Sequence, residues 1–211
     1  GYPMASAENQ AMRFLQQECA RLKDENELLS EEVRALRRYV AELRAFQETV
    51  QEFTPEQDVV ALLGSTLGSA LDLLDCDDGS LSLVDDETEE LVFVLVHGAA
   101  KESLQGHRIG IQEGIVGWVV ENGEPAIVND VYSDPRFLHD LDEAFGFVTL
   151  KLVCVPLATR GRKLGALEVI NKRSGDDFSE DDASILSVLA SLAASALDYA
   201  ASAPLEGKKK A

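Results

Sequence analysis

Few side chains in this sequence are of a type and spacing that could do chemistry. Histidine occurs at His97, His107 and His139. A metal centre needs ligands one helical turn or one tight hairpin apart, as in HExxH, and no two of these histidines are that close. Each is read as a surface or cavity-lining imidazole. Cysteine occurs at Cys19, Cys76 and Cys154, an odd count with no CxxC. That pattern argues against a disulfide framework and against a clustered-thiol redox centre, and it fits a reducing cytosol. Cys154, between Val153 and Val155, reads as mid-strand core, and Cys76 as a free thiol at a helix end. P-loop, GxGxxG, HExxH and GxSxG motifs are all absent. The acidic run Asp85, Asp86, Glu87, Glu89, Glu90 reads as a solvated turn, and the single Trp118 as packing beside Ile115 and Val119. No catalytic residue and no metal ligand is assigned, and the chain is expected to be non-catalytic.

Composition narrows the partners. The 211 residues carry 38 acidic and 19 basic side chains, a formal net charge of −19. Such a surface repels nucleic acid and anionic membranes. The one dense basic run, Lys208, Lys209 and Lys210, falls in a tail, 201–211, expected to be flexible. Hydrophobic residues make up 45%, enough for a sizeable core. No apolar run is read as a membrane span, and no leader pattern is seen. Gly1, Tyr2 and Pro3 before Met4 are read as a tag scar within a disordered start, 1–5. The expected location is the cytoplasm.

The elements that would position any site fall into two parts. Over 6–53, apolar residues recur at alternating steps of three and four. Met12, Cys19, Asn26, Val33, Val40 and Gln47 fill one heptad seam position (a); Leu15, Leu22, Leu29, Leu36, Leu43 and Val50 fill the other (d). Leu at d with Val at two a sites favours two parallel strands, and a seam Asn pairs with its twin only in a parallel, in-register dimer. Across such a dimer Glu18 faces Lys23 and Glu32 faces Arg37, both attractive. A homodimerising coiled coil is therefore expected. Thr54, Pro55 and Gln57 read as N-cap, first residue and N3 partner of a new helix running to about Leu74.

After Cys76 the period changes to two. Strands are expected at Ser80–Val84, Leu91–Val96, His107–Ile111, Ala126–Val128, Leu152–Ala158 and Leu164–Ile170. A helical turn is expected from Gly114 to Val120, ended by Asn122 and Gly123, and a helix or loop over Asp134–Phe145. Ser179 would cap a closing helix to about Ala200, with Glu180, Asp181 and Asp182 at its positive end. The fold class is α+β: a central antiparallel six-stranded sheet flanked by helices, with both long terminal helices on one face and loops from Ala99 to Leu150 over the other.

Residues 55–200 resemble a GAF domain. The resemblance is carried by EGIVGWVVENGEPAIVNDVYSDPRF at 113–137 and LVCVPLATRGRKLGALEVINK at 152–172, with Gly114, Gly117, Gly123, Asn129, Asp130, Pro156, Gly165 and Asn171-Lys172 in family order. It is closest to the GAF domains of cyclic-nucleotide phosphodiesterases, whose Asn-Lys, Phe, Asp-Glu signature is met by Asn171, Lys172, Phe178 and Asp182; Ala183 replaces the final Glu. The resemblance implies a buried Lys172–Asp182 salt bridge that steadies the surroundings of a ligand pocket. It also implies a ligand-binding set: Ser80, Asp142, Thr149 and Glu168 as polar contacts, with Ile115 and Val116 on an apolar wall. His97 stands where an Asp would meet the base, Phe145 replaces a Thr, Leu138 a Tyr, and Val96 the Phe that stacks on the base. A cyclic nucleotide thus remains among the candidate ligands, with half the polar set and no stacking ring. The clustered cysteines of the sulfoxide-reductase members and the Cys-His of the bilin carriers are missing.

The expected function is a dimeric sensory or regulatory protein that binds a small molecule or partner and transmits the change through its coil. Its output would be a partner protein, or an effector domain removed from this chain. The alternative is a ligand-free scaffold whose pocket Phe145 and Leu138 fill.

Overall fold

The unbroken run of helix formers at the start of the chain gives a 48-residue helix, α1 (Met4–Gln51). The computed structural model describes residues 4–51 and 59–202. Residues 1–3, read above as a tag scar, the Thr54–Pro55–Gln57 boundary and the tail beyond residue 202 lie outside the described residues. Along α1 the heptad seam is exposed: Leu15, Leu22, Leu29, Val33, Leu36 and Val40 all present apolar surface, with Leu22 and Leu29 each 51% accessible. Cys19 and Asn26 are exposed and Leu43 is half-buried. Within the helix Arg21 pairs with Glu18 at 2.6 Å and Glu25 at 3.0 Å, the i,i+3 and i,i+4 contacts a helix surface allows. The chain divides into two compact units between Glu42 and Leu43. Phe46, which stands outside the a/d ladder, is buried and belongs to the second unit.

The second unit contains α2 (Val59–Leu74), β1 (Cys76–Asp85), β2 (Glu90–His97), α3 (Lys101–Leu104), β3 (Arg108–Gly110), α4 (Gly114–Asn122) and β4 (Ala126–Val128). A 3-10 turn at Val131–Ser133, α5 (His139–Phe145), β5 (Leu152–Thr159), β6 (Arg162–Lys172) and α6 (Glu180–Ser202) complete it. The strands form one antiparallel sheet in the order β3-β2-β1-β6-β5-β4.

Several elements depart from the sequence expectation. Strand β1 starts at Cys76, four residues before Ser80, because Asp75 takes a positive φ of 55° and turns the chain straight from helix into sheet. Cys76 is therefore a buried strand residue and not a helix end. Strand β6 reaches back to Arg162, leaving Arg160-Gly161, both at positive φ, as a two-residue turn. Pro135 and Arg136 form a turn, closed by the Phe137 N–H on the Asp134 carbonyl (3.1 Å), and α5 begins only at His139.

Period-two alternation separates the faces of the sheet. On one, Leu81, Val153, Val155, Leu157, Leu167 and Val169 are fully enclosed. Gly79 lies in the same cross-strand row as Val169 and Val153. A Cβ there would sit 2.7 Å from the Glu168 carbonyl and 3.1 Å from the Leu71 side chain of α2, so only glycine admits the helix this closely. This back face packs on α2 and α6. Helix α6 is apolar and long, with a mean hydropathy of 1.5 over Glu180–Ala201, so an apolar run of membrane-span length does exist. Its burial of Leu186, Leu189, Ala190 and Ala193 marks it as the core helix of this layer. The front face presents Val96, Ser80, Glu168, Cys154 and Ala126 in one row across five strands.

Candidate functional site

Over the front row lies a cavity of about 80 Å³. Strands β1 and β6 supply its floor, Ser80 and Glu168; β2 supplies Val96 and, at the rim, His97. The first turn of α4 forms one wall through Ile115 and Val116. That helix lies close because Gly117 meets the preceding turn: a Cβ would come within 2.7 Å of the Gln112 backbone. Leu138, Asp142, Phe145 and Thr149, from α5 and its flanking loops, close the roof. Gly114, at φ +73°, leaves room for Leu138 to lean over it; a Cβ there would sit 3.0 Å from the leucine. All ten residues singled out from the sequence resemblance therefore border one void. Asp78, Phe93, Phe137, Leu141 and Phe147 also border it and were not foreseen.

The roof is clamped at two points. Asp142 accepts hydrogen bonds from the Thr149 backbone N–H (2.6 Å) and hydroxyl (2.9 Å). Asn171 accepts from the N–H groups of Leu150 (2.9 Å) and Lys151 (3.1 Å) and donates to the Val148 carbonyl (2.8 Å). To make these contacts Asn171 adopts a φ of +51°, a conformation that Asn tolerates better than most residues. Its neighbour Lys172 pairs with Asp182 at 2.6 Å, both side chains largely buried. Asp182 also accepts from the Ser179 N–H (2.7 Å) and hydroxyl (3.0 Å), while Ser179 Oγ accepts the Asp182 N–H (3.2 Å). This reciprocal cap begins α6. Asn129 pairs with the backbone N–H and C=O of buried Phe178. The end of β4, the end of β6, the cavity roof and the start of α6 are thus tied together.

Electrostatically the cavity is acidic. Asp78, Asp142 and Glu168 border it, and no Lys or Arg among the described residues does. Asp78 accepts from the Ala99 N–H at 2.9 Å and so holds the turn after β2. Glu168 has no such backbone duty. Burial pushes its carboxyl up to about 7, the nearby Asp142 carboxylate adds to the rise, and the Ser80 hydroxyl hydrogen bond partly offsets it. Burial also raises the Cys154 thiol well above its ordinary range, with Glu168 contributing, and pushes Cys76 up to about 12. Neither thiol has the thiolate character a nucleophile needs. His97 Nδ1 lies 3.0 Å from the Asp77 carbonyl, His107 packs edge-on against Phe145 at 5.1 Å, and His139 stacks on Tyr132 at 5.4 Å. Among the described residues no group of three or more His, Cys, Asp or Glu could hold a metal ion. Trp118 is half-buried beneath the Arg136 guanidinium, 4.5 Å from its ring centre.

Helices seal one face of the sheet, and a small, roofed, polar-floored cavity lies on the other. A GAF domain model matches residues 56–198, and the chain belongs to the GAF domain family, whose members are typically regulatory and non-catalytic. It is 32% identical over 154 residues to the dual 3',5'-cyclic-AMP and -GMP phosphodiesterase 11 of Drosophila melanogaster, a match covering 66% of this chain and 11% of that protein. It is 30% identical over 151 residues to the dual 3',5'-cyclic-AMP and -GMP phosphodiesterase 11A of Takifugu rubripes, covering 67% and 17%. The chain thus spans under a fifth of the length of these relatives. Among solved structures it resembles the GAF domain of a Coxiella burnetii phosphoenolpyruvate-protein phosphotransferase, with TM-score 0.68, 22% identity, and 77% of this chain and 94% of that one covered. It also resembles the free methionine-R-sulfoxide reductase of Neisseria meningitidis, with TM-score 0.64, 25% identity, and 77% and 90% covered.

Proposed function

We propose that this protein is a dimeric, cytoplasmic sensory module in which the front cavity of each head holds a small molecule and a parallel coiled coil transmits the outcome. The observation that carries the reading is the convergence of Ser80, Val96, His97, Ile115, Val116, Leu138, Asp142, Phe145, Thr149 and Glu168 on one void. Pairing of the coil with a second copy is supported by the exposed seam from Leu15 to Val40, whose burial against its twin removes apolar surface from water. The opposite charges at Glu18 and Lys23, and at Glu32 and Arg37, favour the parallel register. Three unpaired cysteines suit a reducing compartment.

The transmission route begins at the roof. A ligand that prefers one setting of α5 and the loop at 147–151 shifts the population toward it. Asn171 and the Lys172–Asp182 pair carry that change to the start of α6. The output is a partner protein or an effector domain beyond this segment. Cyclic nucleotides belong among the compounds to test, because relatives are named as phosphodiesterases of cyclic AMP and GMP. A second reading, a ligand-free scaffold, is favoured by the size of the void: about 80 Å³ is below the ~300 Å³ at which ligand pockets usually begin. Native mass spectrometry of protein purified from its source discriminates the two. Two chains with a retained small mass are expected; two bare chains favour the scaffold, and a single chain rejects the dimer.

A further inference from the structure

The cavity's own side chains say what kind of molecule it prefers. Its acidic groups are not equivalent: Asp78 accepts the Ala99 N–H, and Asp142 accepts the Thr149 N–H and hydroxyl, whereas Glu168 has only the Ser80 hydroxyl beside it among the described residues. Glu168 is buried, 8% accessible, with acceptor capacity left over and no cation beside it. Facing it are Asp142 and the Cys154 thiol, and no described residue on the neighbouring strands or the roof neutralises it. The first turn of α4 brings the positive end of a helix to one wall, equivalent to about half an elementary charge. That is smaller than the charge of a single carboxylate, and Asp78, Asp142 and Glu168 all border the void. Four phenylalanines, Phe93, Phe137, Phe145 and Phe147, line the same void. Aromatic faces attract a desolvated cation through the ring quadrupole, and a buried carboxylate supplies the opposite charge.

We infer that the front cavity is built for a small organic cation, an alkylammonium group on a compact apolar body, docked on Glu168 beneath the phenylalanine rings, and not for a phosphate ester. This inference rests on the small-molecule reading above and narrows its ligand class. A phosphodiester would set a further negative charge against the floor with no Lys or Arg to receive it.

The test is a set of phenyl-bearing fragments of similar size whose head groups carry opposite or no charge: phenethylamine, 2-phenylethanol and phenylacetate. Each is titrated into the whole chain alongside cyclic GMP and followed through the methyl signals of Ile115 and Val116. Phenethylamine is expected to bind at least about tenfold more tightly than either isostere. The preference should survive moderate salt, which screens non-specific attraction to the −19 surface. Glu168→Gln should weaken the amine at least about tenfold and leave 2-phenylethanol unchanged. If phenylacetate or cyclic GMP binds more tightly than the amine, the inference falls and small-molecule sensing stands. Amine binding that ignores Glu168→Gln also overturns it. If no compound moves the cavity signals at millimolar concentration, both readings fall.

Discussion

The two faces of the sheet are made of different material. Behind it, Leu81, Val153, Val155, Leu157, Leu167 and Val169 alternate into a layer sealed by α2 and α6, with Leu186 and Leu189 fully enclosed. In front, the same strands present Ser80, Ser82, Cys154 and Glu168, one of them a buried carboxyl and another, Ser82, with its hydroxyl unpartnered. The back face is what burial of apolar surface favours. The front face gives up part of that stabilisation to keep polar groups and an open void under a roof held by hydrogen bonds. Stability should therefore track the back face, and pH and ligand response the front.

The largest expected effect is on the back. Leu189→Ala should lower unfolding free energy by about 2–5 kcal/mol, because a close-packed helix leaves a cavity where the side chain was. Urea denaturation monitored at Trp118 measures it, and a loss under 1 kcal/mol would erase the contrast between the faces. Next comes the knot joining them. Asp182→Ala strands Lys172, which is 16% accessible, and removes the α6 cap, a loss of about 3 kcal/mol. The cavity roof signals should shift along with it, and an unmoved roof would break the proposed route.

Glu168→Gln should act with the opposite sign. The carboxyl is raised from 4.5 to about 7 on folding, so the folded state binds the proton more tightly. The favourable contribution is complete below pH 4.5 and is lost as pH rises through about 7. At pH 8 the variant should be more stable than the parent by up to about 3 kcal/mol, and near pH 4 the two should coincide. Equal thermal midpoints across that range would place Glu168 in water. The smallest effect belongs to Ser82→Ala. Removing a buried hydroxyl without a partner should leave stability within about 1 kcal/mol of the parent, or raise it. A larger loss would mean the front face depends on polar contacts as the back depends on apolar ones.

Much of this was legible in the residue pattern, for reasons that differ along the chain. The strands could be read because β5 is a short unbroken apolar run: Leu152 to Val155 are all buried, between the helices on one face and the cavity side on the other. The cap of α6 is a local device, Ser179 and Asp182 three residues apart, and local devices are visible in one dimension. The cavity set came through resemblance to a family, since nothing periodic joins Ser80 to Glu168 or Asp142 to Thr149. Phe93, Phe137 and Phe147 were missed because one sits on a strand and two on loops, and only the closed sheet brings them together. Strand β1 was begun too late because Asp75 turns the chain with a positive φ that no glycine announced. Phe46, an apolar residue off the a/d ladder, is buried in the second unit while α1 runs on to Gln51.

The clamps on the roof also set a clock. Five hydrogen bonds, two to Asp142 and three through Asn171, hold residues 148–151 in place. A molecule larger than the void is expected to gain admission by lifting that segment. Association should then saturate: at high ligand concentration the observed rate levels off at the opening rate of the roof. Asn171→Ala would raise that plateau, making the amide that completes the fold the part that meters how quickly the domain responds.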